Sequence, residues 1–169
     1  MTKQTRHIIH PFAPVVGTQC KVLILGSIPS VKSVEDGYPY AHPHNKFWRL
    51  MSDILGIDFA LLNGNQRQQT LLAHDIALFD AILECDIVGS SDSTATNIIH
   101  TDILTLIAHT NISKILCNGT LSYRTVTRYN PNLSITVVRM PSTSPANATM
   151  TYQTLLSIWS NQLQDLIVK

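Results

Sequence analysis

Residues 21–27 read KVLILGS, Lys21 to Ser27. Val22, Leu23, Ile24 and Leu25 follow one another with no polar residue between them, so neither face of a strand built from them suits water. The run therefore reads as a strand buried on both sides, the kind found inside a parallel sheet. The Gly-Ser ending and the Ile28-Pro29-Ser30 that follows stop it. Working outward, DIALF (75–79) and KILC (114–117) repeat the pattern, the latter ending at Asn118-Gly119. SITVV (134–138) alternates and is rich in β-branched residues, so it reads as a fourth strand.

Helical patterns lie between these strands. FWRLMSDIL (47–55) puts Phe47, Leu50, Met51 and Ile54 on one side of a helix. Ile98–Ala108 is amphipathic and reads as helical, and Ser122–Tyr129 as a short helix ended by Asn130-Pro131. Met150–Val168 reads as a long C-terminal helix. GSIPSVKS, the polar stretch 89–97 (GSSDSTATN) and PSTSPANAT (141–149) read as loops; NGNQRQQT (63–70) reads as a loop or a helix start. Strands alternating with helices predict an α/β fold with three layers, a four-stranded parallel sheet between helices. A single domain over residues 1–169 is expected.

Composition narrows the function. Hydrophobic residues make up 44% of the 169 and charged ones 14%, which suits a packed core and excludes a disordered chain. No run of 18 apolar residues occurs, so no membrane partner is expected. MTKQTRHIIHPF has no apolar stretch of signal-peptide length, which points to a cytoplasmic location. Cys20, Cys85 and Cys117 are far apart and read as buried thiols. The seven histidines show no metal-binding spacing, so neither metal nor cofactor is expected, although His42 and His44, on a loop, have the spacing to share an ion. A net charge of +1 leaves nucleic-acid binding open, since a local basic patch suffices.

In a sheet of this kind ligands sit beyond the carboxyl ends of the strands. The loops after the four strands should therefore converge, and the first carries an unusual segment. Residues 37–48, GYPYAHPHNKFW, hold four aromatic rings, two histidines and two prolines in a chain whose aromatic content is 7%. GSIPS has neither a phosphate-loop pattern nor the second glycine of a nucleophile elbow. Nucleotide-loop and serine-nucleophile chemistry are thus unsupported.

Taken together, GSIPSVKS, YAHPHNKFW, ALFD with GSSDS, CNG and MPSTSPAN resemble the uracil-DNA glycosylase superfamily, and within it the hypoxanthine-DNA glycosylase branch. The resemblance runs from about His10 to Trp159 with the motifs in order. It implies a uracil-DNA glycosylase-like sheet and a chemistry in which a base is flipped out of DNA and its N-glycosidic bond is hydrolysed. DNA containing deaminated bases is then the expected partner, and a monomer the expected state.

Residue roles follow from the same resemblance. The superfamily often places Asn or Asp at the position of Ile28, which cannot hold water. The hypoxanthine branch uses the asparagine of HPxNxFW, here Asn45, to position it; Asn45 is also suited to capping the helix from Phe47. His42 is a second catalytic candidate, as a donor to the leaving base or as a residue that orders its loop. Ser27, Ile28, Tyr40, Phe47, Asp80 and Asn118 are base-binding candidates. Phe47 is equally suited to helix core, and Asp80 to capping a following helix. Asp80 would accept from N1–H of hypoxanthine as a carboxylate, or donate to O6 if protonated. Ser30, Lys46, Ser142, Thr143, Ser144 and Asn147 are DNA-binding candidates, with Pro145 expected to open a helix whose free amides meet phosphate. No lysine stands where a Schiff base would need it, so no lyase step is expected. Two alternatives stay open: a mismatch-directed uracil or thymine glycosylase, which Ile28 argues against, and a non-catalytic module that binds damaged DNA or nucleotides.

Overall fold

The computed structural model describes residues 3–89 and 91–167. Ser90, within the polar stretch 89–97, and Val168, at the end of the expected last helix, lie outside the described residues. The chain runs β1 (Thr5–Ile9), β2 (Val22–Gly26), α1 (Val31–Asp36), α2 (Phe47–Leu55), α3 (Gly64–Ala73), β3 (Ile76–Asp80), β4 (Ile82–Val88), β5 (Thr96–His100), α4 (Ile103–Ile107), β6 (Lys114–Asn118), α5 (Thr120–Tyr129), β7 (Thr136–Met140) and α6 (Tyr152–Ile167).

The KVLILGS run is the centre of the molecule. Every residue of β2 is buried. It pairs in parallel with β3 on one side and β6 on the other, in a four-stranded sheet of order β3-β2-β6-β7. Because side chains alternate along a strand, Val22 and Ile24 join one core and Leu23 and Leu25 the other. The first core holds Phe47, Leu50 and Met51 of α2 against Leu155, Trp159 and Leu163 of α6. The second holds Ile103 of α4 and Val126 of α5. Helices thus cover both faces, and the α/β/α expectation is met. Each fully buried Leu, Ile or Phe contributes about 1.5–3 kcal/mol relative to exposure, which is why β2 tolerates no polar residue.

A three-stranded antiparallel sheet of order β1-β4-β5 was not expected from the sequence. Its residues alternate between the buried Ile82, Cys85 and Ile87 and more exposed positions, so no long apolar run advertises it. Residues 98–108 accordingly do not form one helix. Ile98–His100 pair with β4, and a single short helix follows, with the Asp102 carboxylate accepting from Thr105 N–H. Two loops also differ from expectation. Val31–Asp36 is helical, capped by the Ser30 hydroxyl. Pro145 opens no helix: α6 starts at Tyr152, where the Thr151 hydroxyl accepts from Thr154 N–H. Residues 63–70 start a helix, closed by a capping box between Asn63 and Gln66.

Cys20, Cys85 and Cys117 are free and buried. Burial pushes the Cys117 thiol up to about 12.

Candidate active site

The strand ends at Gly26, Asp80, Asn118 and Met140 lie side by side in register, and the loops that leave them enclose a pocket of about 580 Å³. A volume of this size suits a small ligand. Among the expected residues, Asn45, His42, Ser27, Ile28, Tyr40, Asp80, Asn118, Ser30, Ser142, Thr143 and Ser144 line it. The antiparallel sheet supplies one wall through Ile8 and Ile87, and the apolar Ile28 packs against the cluster beneath.

Asp80 forms part of the floor. No helix follows it, so it caps nothing; the chain turns at Ala81 directly into β4. Ala81 N–H donates to Gly26 C=O and the Thr101 hydroxyl donates to Asp80 C=O, which pin the backbone on both sides. The carboxylate Oδ2 lies 2.7 Å from His10 Nε2, with the His10 side chain 3% exposed and that of Asp80 10%. The His10 ring is held by Phe79 and Phe12 at centroid distances of 4.6 and 5.7 Å. The other oxygen rests against Gly26. A Cβ at that glycine would lie 2.1 Å from Asp80 Oδ1 and 2.8 Å from the Tyr40 hydroxyl. Only glycine leaves both oxygens where they are.

Tyr40 and Phe47 divide the work expected of each. Phe47 is fully buried and does not reach the pocket, so it is not a base-contacting ring. It stacks behind Tyr40 with centroids 4.2 Å apart, and Tyr40 lines the pocket. Tyr40 has a left-handed backbone, φ 56°, uncommon for a bulky residue. Its hydroxyl is buried beside Asn118 and, among the described residues, makes no hydrogen bond of good geometry. Burial, with the Asp80 charge second, holds that hydroxyl far above its ordinary titration range, so it stays a neutral O–H.

Asn118 and Thr143 bind each other twice: Asn118 Nδ2 donates to Thr143 Oγ1 at 2.9 Å, and Thr143 N–H donates to Asn118 Oδ1 at 3.0 Å. Thr143 is fully buried. Its side chain is therefore a clamp on Asn118 and not a DNA contact. The hydroxyls beside it are arranged differently. Ser142 Oγ accepts from Ser144 N–H, and Ser144 Oγ accepts from Ala146 N–H, and among the described residues neither O–H has an acceptor. The amides expected at a helix start are thus consumed within a turn. Asn147 lies beyond the pocket wall and donates to Ser142 C=O at 3.0 Å.

At the rim, Asn45 Oδ1 accepts from Phe47 N–H at 3.0 Å and so satisfies the first amide of α2, whose N-cap position is Lys46. A carbonyl oxygen has two lone pairs, of which this bond uses one, and Asn45 lines the pocket. His42 Nδ1 accepts from His44 N–H at 3.2 Å, so the neutral ring carries its proton on Nε2. Lys46 does not line the pocket, but its N–H donates to Thr143 C=O at 2.9 Å and joins the two loops. Ser30 is exposed, its hydroxyl engaged with Ser33 N–H. Arg124, Arg128 and Arg139, dispersed in sequence, gather along a groove that adjoins the pocket and shares Ser27, Asn118 and Ser142 with it.

Comparison with known proteins places this arrangement. The family model of the uracil DNA glycosylase superfamily matches residues 13–163. The chain belongs to the uracil DNA glycosylase superfamily. Two curated relatives are similar over 82 residues: a "Hypoxanthine DNA glycosylase" of Methanosarcina barkeri (strain Fusaro) at 35% identity, and one of Methanosarcina acetivorans at 33%. Each alignment covers 48% of this chain and 52% of the relative, so the chain spans about half the length of the curated relatives it matches. A solution NMR structure from Methanosarcina acetivorans, described as a candidate uracil DNA glycosylase, superposes with a TM-score of 0.79 at 26% identity, over 98% of this chain and 99% of that one. The superfamily fold is therefore present nearly end to end.

Sequence reasoning missed His10, Gly26 and Thr101 at the floor. A lone histidine 70 residues from its carboxylate carries no spacing signal. Gly26 did carry one: a glycine that ends a fully apolar strand marks a close approach.

Proposed function

We propose that this chain is a monofunctional DNA glycosylase, active as a single domain and as a monomer in the cytoplasm, that hydrolyses the N-glycosidic bond of deoxyinosine, with deoxyuridine a further substrate. The observation that carries the reading is one pocket holding an asparagine bonded to the start of α2, Asn45, at its rim and a fixed carboxylate, Asp80, at its floor, in a chain of this superfamily. The two Methanosarcina relatives support the choice of hypoxanthine.

An extruded hypoxanthine enters edge first. Its N1–H donates to Asp80 Oδ1, and its ring lies along Tyr40, which Phe47 backs. Asn45 keeps one lone pair on Phe47 N–H and uses the second, with its NH₂, to hold a water on C1′. The sugar becomes oxocarbenium-like as the bond lengthens. Such a centre needs a well-placed water more than a deprotonated one, and placement by a rigid neutral amide is itself catalytic. His42, through Nε2–H, donates to the departing base. Free hydroxyls of Ser142 and Ser144 hold the backbone, with Ser30, Lys46 and Asn147 around them. Ile28, packed on apolar neighbours, argues against the mismatch-directed chemistry that places a polar residue there.

The test is direct. The protein is incubated with a duplex bearing one deoxyinosine, with chelator present, and alkali-labile sites are counted. Cleavage after alkali alone, with free hypoxanthine released, is expected. Tight binding without base release would make the chain a damaged-DNA binding module, and activity lost to chelator and restored by a metal would overturn the cofactor-free mechanism.

A further inference from the structure

We infer that His10 is a positioning residue that sets base specificity: it fixes the Asp80 carboxyl so that Oδ1 is presented to the base as a hydrogen-bond acceptor. This rests on the proposed base readout by Asp80.

The argument starts from the protons. At 2.7 Å the His10–Asp80 contact holds one proton between Nε2 and Oδ2. The far side of the ring meets the backbone of Phe12, which offers both an N–H at 3.2 Å and a C=O at 3.1 Å to Nδ1. With Nδ1 unprotonated, Phe12 N–H donates to it; with Nδ1 protonated, it donates to Phe12 C=O. The surroundings accept either form, and a carboxylate oxygen at 2.7 Å pairs only with the N–H form of Nε2. Oδ2 is thereby consumed. Oδ1, wedged on Gly26, is the oxygen left for a ligand. The carboxyl cannot rotate to exchange them, because His10 is enclosed by Phe12 and Phe79 and the Asp80 backbone is tied to Thr101.

Two consequences bear on the reaction. A lactam base presents an N–H donor beside a carbonyl, and a fixed acceptor matches that N–H. A base with a bare ring nitrogen at the same place meets lone pair against lone pair and is rejected, the form of discrimination that polar sites do best. Second, a base leaving with negative charge would be opposed by a free carboxylate. A hydrogen bond from His10 draws charge from Oδ1 and reduces that opposition.

The experiment compares deoxyinosine with 6-methoxypurine deoxyriboside, which has no N1–H, in otherwise identical duplexes. Single-turnover release rates are measured for the wild type, His10→Phe, His10→Gln and Asp80→Asn. The ratio of the two rates cancels general loss of activity. It should fall about tenfold to a hundredfold in His10→Phe, the size of one hydrogen bond to a charged group. His10→Gln, which keeps an N–H donor, should restore part of it. Asp80→Asn should also lower the ratio, because His10 Nε2–H would bind the amide oxygen and turn the NH₂ toward the base. A ratio unchanged in His10→Phe while both rates fall would make His10 merely structural and overturn the proposal. If the variants do not fold, the wild type still decides: a far-downfield imidazole N–H proton resonance should be present and should shift when free hypoxanthine binds. Its absence, or indifference to hypoxanthine, overturns the proposal. A wild type that releases no hypoxanthine defeats the glycosylase reading itself, a different result from an unchanged ratio.

Discussion

The floor and the rim of the pocket are built on opposite plans. At the floor, Asp80, His10, Asn118 and Thr143 are buried and bonded to partners far away in sequence: 70 residues separate His10 from Asp80 and 25 separate Asn118 from Thr143. At the rim, the side chains of Asn45, His42, Ser142 and Ser144, among the described residues, bond to backbone two residues on. In the proposed reaction the floor would recognise the base with groups whose orientation is fixed by the fold, and the rim would act with groups oriented by their own loop. Burial makes a wrong partner costly, so the proposed reading of base identity falls to the groups with the least freedom. Placing a water and gripping a backbone need reach, so those groups stand at the edge.

The sharpest way to break the floor is Gly26→Ala. A methyl group 2.1 Å from Asp80 Oδ1 must displace the carboxylate or the Tyr40 hydroxyl. Base release should fall by at least about a hundredfold in single-turnover assays, as misplacement of about 1 Å can cause. The rim counterpart is Asn45→Ala. Cleavage should fall by roughly tenfold to a thousandfold while binding to inosine DNA changes much less. Because Asn45 also caps Phe47 N–H, calorimetry should show about 1 kcal/mol of lost stability. A stability loss with cleavage intact would leave Asn45 only its cap.

Asn118→Ala separates the two regions by kind of damage. It deletes both bonds to the buried Thr143 and leaves that residue's N–H and hydroxyl unpaired, at a cost of about 2–4 kcal/mol. Denaturant unfolding should register it. If stability is unchanged, the floor is less fixed than its geometry implies. Replacing Ser142 and Ser144 together by Ala should weaken DNA binding by roughly 1–3 kcal/mol with little change in salt dependence, since neutral donors release few counterions. The smallest effect belongs to single cations. Lys46→Ala or Arg128→Ala should lower the salt slope of DNA binding by about one if that residue meets a phosphate, and fluorescence titration at several salt concentrations measures it.

The same contrast explains what could be read in advance. The parallel sheet was legible because Leu23, Ile24, Leu78 and Leu116 must be buried wherever they go. Strands β4 and β5 were not, since Glu84, Asp86 and Asn97 interrupt their apolar residues and pairing alone makes them strands. Rim residues were legible because HPHN and STS are local motifs. Floor residues were legible singly, as Asp80 and Asn118, and not as pairs. Thr143 shows the limit: in the string Ser142-Thr143-Ser144 three hydroxyls look alike, and only packing turns the middle one inward. Phe47 shows it again, where two neighbouring rings, Tyr40 in front and Phe47 behind, take different roles.

The bond from Lys46 N–H to Thr143 C=O has a consequence for how such a protein drifts. It joins the two loops through main chain alone, so the side chain at 46 can be exchanged without untying them, whereas that of Thr143 is held in place by Asn118. Proline at 46 is the exception, since it has no N–H to give. The outer surface of either loop is therefore free to vary from lineage to lineage, in charge and in shape, while Asn45 keeps its distance from the strand ends.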